Sequence, residues 1–304
     1  MKKGNMDTVN DIKMGRIKRS RLLAKASWLT FKTDKKLVAI PLITLIIGVP
    51  AIILFGVSAI IQISINLAGT SNPIIAKVIY ALFALLIYFI LYFAKNIVEA
   101  TLFIGITARF NGQKPSIKGA LKAVIAKIWP LMQFSFLMSS IGLAVKYLGD
   151  RLPFIGRIGV NILGGAWETA NFFAIPAIAS SAENLNPKQA TQQSISIIKR
   201  VWGESVLISL GITLIELLSV SLFAAISLAF AWTLNSQNIS TSPAFYFAII
   251  GLIVMSSVFI VLEAIVKAAV YHYATTGESP VQFNKNLLQQ TFTQKKSQKI
   301  FAGN

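Results

Sequence analysis

The chain contains no cysteine and only one histidine, His272, among its 304 residues. The lack of cysteine excludes disulfides, thiolate metal ligands and cysteine nucleophiles. A single histidine cannot form a histidine-rich metal site by itself, and no serine lies in a Gly-x-Ser-x-Gly motif. We therefore expect a protein that is not an enzyme and that uses no cofactor.

Charged residues are also scarce, at 13% of the chain, against about 25% in a typical globular domain. The mean hydropathy is +0.66, and several apolar runs exceed the roughly 20 residues that an α-helix needs to cross a bilayer. This composition indicates an integral membrane protein.

Six apolar runs predict an all-α bundle of six transmembrane helices, at about 37–65, 74–108, 128–148, 158–180, 205–230 and 244–274. The second and sixth runs reach about thirty residues or more, so we expect these two helices to tilt strongly or to project beyond the bilayer. Pro50 and Pro176 predict kinks in the first and fourth helices.

The distribution of lysine and arginine predicts the orientation of the bundle. Segments on the side of both termini carry 23 of these residues, and the opposite loops carry four. Both termini should therefore be cytoplasmic. The predicted organisation is a basic segment at 1–36 with an amphipathic helix, a six-helix domain at 37–276 and a basic tail at 277–304. The position of the basic residues beside the membrane spans explains most of the net charge of +18. Nucleic-acid binding is disfavoured, because no aromatic-interleaved basic module is visible.

Basic amphipathic segments precede the odd-numbered helices. The segments "PSIKGALKAVIAKIW" and "NPKQATQQSISIIKRVW" end at Trp129 and Trp202, and Trp28 has the equivalent place before the first helix. Because tryptophan favours the membrane–water interface, we interpret these three residues as interfacial anchors and the segments as interfacial helices on the cytoplasmic side. A further amphipathic segment, "VQFNKNLLQQTF", closes the chain.

The exits of the even-numbered helices also resemble one another. Gly112, Asn186 and Gly277 suit left-handed helix ends, and each exit closes with a proline. A Glu-Ala pair lies about four turns before two of these exits, in "VEATLF" and in "LEAIVK". We infer three parallel two-helix units.

Polar side chains within the predicted spans are the candidate functional residues: Lys95, Asn96, Glu99, Glu168, Asn171, Glu216, Glu263 and Lys267. Each lysine lies four residues from a glutamate, which predicts the local ion pairs Lys95–Glu99 and Glu263–Lys267. Glu168 and Glu216 have no such neighbour and are the strongest candidates for function. Two interpretations stay open: the acids line a wet cavity, or they only neutralise lysines and link helices.

Three stretches resemble an uncharacterised family of prokaryotic multi-pass membrane proteins: "ASWLTFKTDKKLVAIPL", "AWETANFFAIPAI" and "ATQQSISIIKRVWGE". The matching positions are Ser27, Trp28, Asp34, Lys35, Leu37, Phe172, Phe173, Pro176, Ser194, Trp202, Gly203 and Glu204. Asn96 also falls where that family tends to carry an asparagine. The resemblance implies the plasma membrane of a bacterium or archaeon and supplies no activity or substrate.

Two functions fit these observations. The first is a non-enzymatic scaffold or accessory protein that binds anionic lipid, a protein partner or a second copy of itself through its basic face. The alternative is a small-solute or ion transporter or channel that uses the intramembrane glutamates. A lipid-modifying enzyme ranks third, because no nucleophile with a base is visible.

Overall fold

The computed structural model describes residues 16–45, 56–57, 60–61, 64, 73–201, 204–236, 242–280 and 283. Every regular element within these ranges is a helix and none is a strand, which confirms the all-α prediction. A short 3₁₀ turn, Lys35–Val38, joins the first two α-helices. The α-helices are α1 (Arg16–Thr33), α2 (Ala39–Ile43), α3 (Pro73–Phe110), α4 (Ile117–Ala126), α5 (Ile128–Arg151), α6 (Phe154–Ala170), α7 (Ala174–Ser180), α8 (Pro187–Val201), α9 (Glu204–Ser236) and α10 (Ser242–Thr276).

Four described helices are long and apolar enough to cross a membrane. They correspond to the second, third, fifth and sixth predicted spans and comprise Val78–Phe110 in α3, Ile128–Arg151 in α5, Ile215–Ser236 in α9 and Pro243–Thr276 in α10. The overlong second and sixth helices are confirmed, because α3 has 38 residues and α10 has 35. The first predicted span, 37–65, lies largely outside the described residues.

The fourth predicted span, 158–180, is not one helix. α6 ends at Ala170 and α7 begins at Ala174, with a turn at 171–173 between them. In a continuous helix the ring of Pro176 would clash with the carbonyl group of Phe172, four residues earlier. In α7, Pro176 lies in the first turn, where an N–H has no partner within the helix. At this proline the structure therefore has a full break between two helices instead of the predicted kink.

Two helix starts follow the capping rules. Ser116 caps α4 by accepting a 3.1 Å hydrogen bond from the backbone N–H of Gly119. Asn186 and Gln189 exchange two hydrogen bonds of 2.9 Å at the start of α8, the reciprocal arrangement of a capping box. The local sequence alone therefore fixes where these two amphipathic helices begin.

The predicted left-handed helix ends are confirmed at two of three positions. Gly112 follows α3 with a φ of +76°, and Gly277 follows α10 with a φ of +74°. Glycine adopts these angles without the steric cost of a Cβ atom. Asn186 has a different role, since α7 already ends at Ser180 and Asn186 begins the next helix.

The helices α3 and α10 run parallel to each other. Contacts between them advance along both helices in the same direction: Glu99 with Lys267, Phe103 with Tyr271, and Phe110 with His272. Both exits therefore lie at one end of the molecule, which we call the basic end. There, Arg109 forms an ion pair of 2.9 Å with Asp34.

The buried core lies towards the basic end. Fully buried apolar side chains from α3, the turn at 171–173 and α10 meet there, including Leu102, Ile106, Phe173, Val261 and Ile265. Farther along the same helices and on α9, large apolar side chains are exposed, among them Leu82, Leu222, Phe245 and Ile250. A hydrocarbon environment would cover this second group, as expected for membrane-spanning helices.

Described residues of the first predicted span contact α3 in antiparallel order. Leu37 packs on Gly105, Gly56 packs on Ile87, and Ser64 Oγ lies 2.9 Å from the Tyr80 hydroxyl. Along these three contacts the residue numbers rise from 37 to 64 in the first segment and fall from 105 to 80 in α3. The start of this segment thereby forms one wall of the site described next.

Candidate functional site

Two adjoining cavities lie beside α3 and α10, with volumes of about 400 Å³ and about 390 Å³. The same four charged residues line both: Lys95, Glu99, Glu263 and Lys267. We call these four residues the charged wall. Both volumes fall within the roughly 300–1,000 Å³ of small-molecule sites.

The two cavities differ in the rest of their lining. The first, between α2, α3 and α10, is mainly apolar and includes Pro41, Leu91, Val98, Leu102 and Ile260. The second, between α3, α5, α6, α7 and α10, has a larger polar share and includes Tyr92, Asn96, Glu168, Thr169 and Asn171. The charged wall thus separates a mainly apolar compartment, which we call the apolar cavity, from a more polar one, which we call the polar cavity.

The closest charge contact in the wall joins two helices. Lys267 Nζ on α10 lies 2.6 Å from Glu99 Oε1 on α3, and the two side chains are only 12% and 17% exposed. The same ammonium lies 4.2 Å from the centre of the Phe172 ring, a distance that allows a cation–π interaction. The expected local pairs Lys95–Glu99 and Glu263–Lys267 are therefore wrong, because parallel packing brings Lys267 to the glutamate of the neighbouring helix.

The remaining charges of the site have no counter-ion within the described part of the chain. Lys95 is exposed and lies 5.9 Å from the centre of the Tyr92 ring. Glu168 is exposed and Glu263 is half-buried, and neither forms an ion pair with a described residue. With three glutamates and two lysines, the lining has an excess of one negative formal charge.

Asn96 links α3 to α5 at the edge of the polar cavity. Its side-chain amide is buried and donates a 2.8 Å hydrogen bond to Ser135 Oγ. The Ser135 hydroxyl donates in turn to the carbonyl oxygen of Leu131. A buried amide whose partner is itself hydrogen-bonded holds the wall of the cavity in place.

The helix break beside the cavity is held by α8. The backbone N–H of Phe173 donates a 2.9 Å hydrogen bond to Ser194 Oγ, which is fully buried. Thr191 Oγ1 donates to Asn171 Oδ1 at 2.6 Å, and the Asn171 amide donates to the carbonyl oxygen of Trp167. Two polar side chains of α8 thus satisfy groups in the turn, which explains why a broken helix is tolerated here.

This role changes the interpretation of α8. Its face containing Ala190, Ser194, Ile197 and Ile198 is buried inside the protein, not exposed as an interfacial helix requires. The sequence carried one signal of this, since Ser194 is a polar residue on an otherwise apolar face. A lone polar residue in such a place indicates a buried hydrogen bond.

The predicted candidates separate into two groups. Lys95, Asn96, Glu99, Glu168, Asn171, Glu263 and Lys267 all line one or both cavities. Glu216, on α9, is half-buried and lines neither, although it lies within electrostatic reach of Glu263. Tyr92 and Phe172 line the site too. The sequence offers no signal for Tyr92, because aromatic residues are common throughout the chain, whereas Phe172 is one of the positions that carry the family resemblance.

The carboxylates of the site do not form a metal-binding cluster within the described residues. No group of three histidine, cysteine, aspartate or glutamate side chains in the described part of the chain is arranged to hold a metal ion. What the arrangement provides is a set of fixed charges, hydrogen-bonding amides and aromatic faces around open space. Such a set has the chemical groups that hold a charged or polar ligand in small-molecule sites.

Two of the three predicted interfacial anchors are exposed, and the third lies outside the described residues. Trp129 is 59% exposed and Trp28 is 42% exposed, while Trp202 lies outside the described residues. Beside Trp129, α4 exposes Leu121 and Ile125, with the lysines of α4 on the neighbouring surface. On its other side, α4 buries Ala120 and Val124 against the protein.

These features define an all-helical membrane protein with a charged cavity between its long helices. Residues 74–281, just over two thirds of the chain, match the family of unknown function DUF6159. The chain therefore belongs to this family. The matched region contains α3 to α10 and so all the charged residues of the site, whereas the Ser-Trp and Asp-Lys-x-Leu residues near the N-terminus lie before it. No curated protein and no solved structure matches the chain.

Proposed function

We propose that the chain is a membrane transport protein that takes a small charged solute into the two cavities. The observation that carries the proposal is the charged wall shared by both cavities. A chain that only needs to neutralise its intramembrane charges would pair them, yet Lys95, Glu168 and Glu263 have no counter-ion among the described residues.

The cost of intramembrane charge supports the same proposal. An ionised side chain facing hydrocarbon costs about 2.5–3.5 kcal/mol even on insertion scales. Lys95 lies in the membrane-spanning part of α3, and Lys95 and Glu168 are both exposed. Water in the cavities would remove most of this cost, and a cavity that holds water can hold a hydrophilic solute.

Cysteine accessibility tests this proposal without background labelling, since the native chain has no cysteine. Ala94→Cys lines the apolar cavity and Thr169→Cys lines the polar one. In native membranes we expect both to react with a charged, membrane-impermeant thiol reagent. Protection of both positions would overturn the proposal.

Controls come from exposed apolar positions on α3 and α9. Leu82 on α3 and Leu222 on α9 are exposed apolar residues outside both cavities. We expect Leu82→Cys and Leu222→Cys to react only after the membrane is dissolved in detergent. Glu99→Cys is avoided, because that change removes the ion pair itself.

A second candidate function, binding of anionic lipid at the membrane surface, is favoured by α4. The exposed Leu121 and Ile125 of α4 and Trp129 of α5 adjoin Lys118 and Lys122, which combines an apolar contact with positive charge. We expect α4 to be more protected from hydrogen exchange in anionic nanodiscs than in neutral ones. Equal protection in both would exclude specific binding of anionic lipid.

The proposal includes a particular topology. Six spans with both termini in the cytoplasm of a bacterium or archaeon would place the basic end in the cytoplasm. The antiparallel contacts of Leu37, Gly56 and Ser64 with α3 support a first span at 37–65. In this topology α6 and α7 together make the fourth span, and the break at 171–173 faces the polar cavity.

A further inference from the structure

The ammonium group of Lys267 occupies a nearly complete cation-binding site formed by the rest of the chain. Glu99 supplies a carboxylate oxygen at 2.6 Å, and Phe172 supplies the face of its ring at 4.2 Å from the ring centre. A carboxylate and an aromatic face are the two kinds of group that bind alkylammonium ions. The lysine thus resembles a bound ligand that is tethered to α10.

The apolar cavity borders this ammonium site directly. Glu99 and Lys267 belong to its lining, together with the apolar side chains of Leu91, Val98 and Leu102. An ion with a charged head and a short apolar chain would find a partner for each part. An anion would meet an excess of negative charge, because three glutamates and two lysines line the combined site.

We propose that the site binds a primary alkylammonium ion, whose ammonium group takes the place of Lys267 between Glu99 and Phe172 and whose alkyl chain enters the apolar cavity. Lys267 is then an internal competitor that holds the site closed in the absence of ligand. When it is displaced, its ammonium lies within reach of Glu263, four residues earlier on the same helix. This proposal rests on the transport function and names its class of solute.

Binding of n-butylammonium to the full chain in neutral nanodiscs tests the proposal, with empty nanodiscs as the reference. Lys267→Met removes the competitor, keeps an unbranched side chain and should tighten binding about tenfold or more. Glu99→Gln removes the negative charge and should weaken binding by a similar factor. Lys146→Met, at a surface pair with Asp150 outside the cavities, should leave affinity unchanged.

A further variant keeps the test informative if Lys267→Met does not fold. Phe172→Leu removes the ring face but preserves an apolar side chain, and it should weaken n-butylammonium binding severalfold. Butyrate, which has the same chain and the opposite charge, should not bind the wild-type protein. Binding that is equal in the wild type, Glu99→Gln and Phe172→Leu would overturn the proposal, as would butyrate binding or no n-butylammonium binding to any variant.

The outcomes separate this proposal from the transport function. Reactive cysteines at positions 94 and 169 without n-butylammonium binding would leave a wet cavity whose solute is not an alkylammonium ion. Protected cysteines with normal n-butylammonium binding would leave a binding site without an aqueous route. The first result overturns only the solute class, and the second overturns transport.

Discussion

The two Glu-Ala elements, one on α3 and one on α10, look like copies in the sequence but differ in their charge environment. Glu99 is paired with Lys267, whereas Glu263 has no counter-ion among the described residues although it lines the same cavities. Alignment of the two elements places Phe103 opposite Lys267 and Ile260 opposite Asn96. The backbone pattern is therefore repeated while the polar groups are not.

Parallel packing explains which pair forms. The contacts Glu99–Lys267 and Phe103–Tyr271 share a sequence separation of 168 residues, so they place Lys267 of α10 beside Glu99 of α3. The ion pair between Glu99 and Lys267 forms in place of the two local pairs because, in that position, the Lys267 ammonium also contacts the face of the Phe172 ring. Glu99 is therefore neutralised by Lys267, whereas Glu263 has no counter-ion among the described residues.

Removing each glutamate should reveal the largest difference between the two copies. Glu99→Leu leaves the largely buried Lys267 without its partner, so we expect a loss of about 3 kcal/mol in the free energy of unfolding. Glu263→Leu removes a carboxylate without a counter-ion and should change that free energy by less than about 1 kcal/mol. Unfolding by SDS in mixed micelles, followed by circular dichroism, measures both.

A double variant provides the control for this pair. Leucine at both 99 and 267 removes the two charges together, so it should be more stable than Glu99→Leu alone. Equal losses for Glu99→Leu and Glu263→Leu would contradict the asymmetry. A loss that appears only when both glutamates are replaced would mean that Lys267 exchanges freely between them.

Much of the fold was predictable because it depends on local chemistry. Apolar runs predicted α3, α5, α9 and α10, and glycine marked the ends of α3 and α10. The break between α6 and α7 was not predictable from Pro176 alone. A proline within an apolar run is compatible with a kink or a break, and the choice depends on Ser194 and Thr191 arriving from α8.

The candidate residues of the site were predictable in kind but not in arrangement. Charges within apolar runs are rare and costly, so Lys95, Glu99, Glu168, Glu263 and Lys267 could be found from sequence. Their partners could not, because the ion pair spans 168 residues of sequence and depends on the relative depth of two helices. Glu216 shows the limit of this reasoning, since an intramembrane acid need not face the cavity.

Substitution of Gly112 or Gly277 should have the same effect, because both glycines follow their helices, α3 and α10, with a positive φ. Alanine at either position would have to adopt a positive φ, and we expect each change to cost about 1 kcal/mol in the free energy of unfolding. No atom lies within 4 Å of a Cβ at either position, so the loss comes from the backbone and not from a clash. SDS unfolding of the two variants should give similar losses.

Gly159→Ala is the matched control for these two changes. Gly159 lies within α6, is exposed and likewise has no atom within 4 Å of a Cβ. Because its φ is that of a helix, alanine should raise the free energy of unfolding by up to about 1 kcal/mol. A loss at Gly112 without a loss at Gly277 would mean that the two exits are not equivalent.

Asn96 should give the smallest effect and one confined to α3, since α10 has Ile260 at the aligned position. Asn96→Leu removes the hydrogen bond to Ser135 Oγ, and such bonds between membrane helices average about 0.6 kcal/mol. The loss should be this small because the Ser135 hydroxyl keeps its bond to the carbonyl oxygen of Leu131.

In a double-mutant cycle, Asn96→Leu and Ser135→Ala should therefore be non-additive by about the same amount. Ser140→Ala, whose hydroxyl bonds only within α5, should be additive with Asn96→Leu. Full additivity of Asn96→Leu with Ser135→Ala would show that Asn96 serves the solute in the polar cavity rather than the contact between α3 and α5.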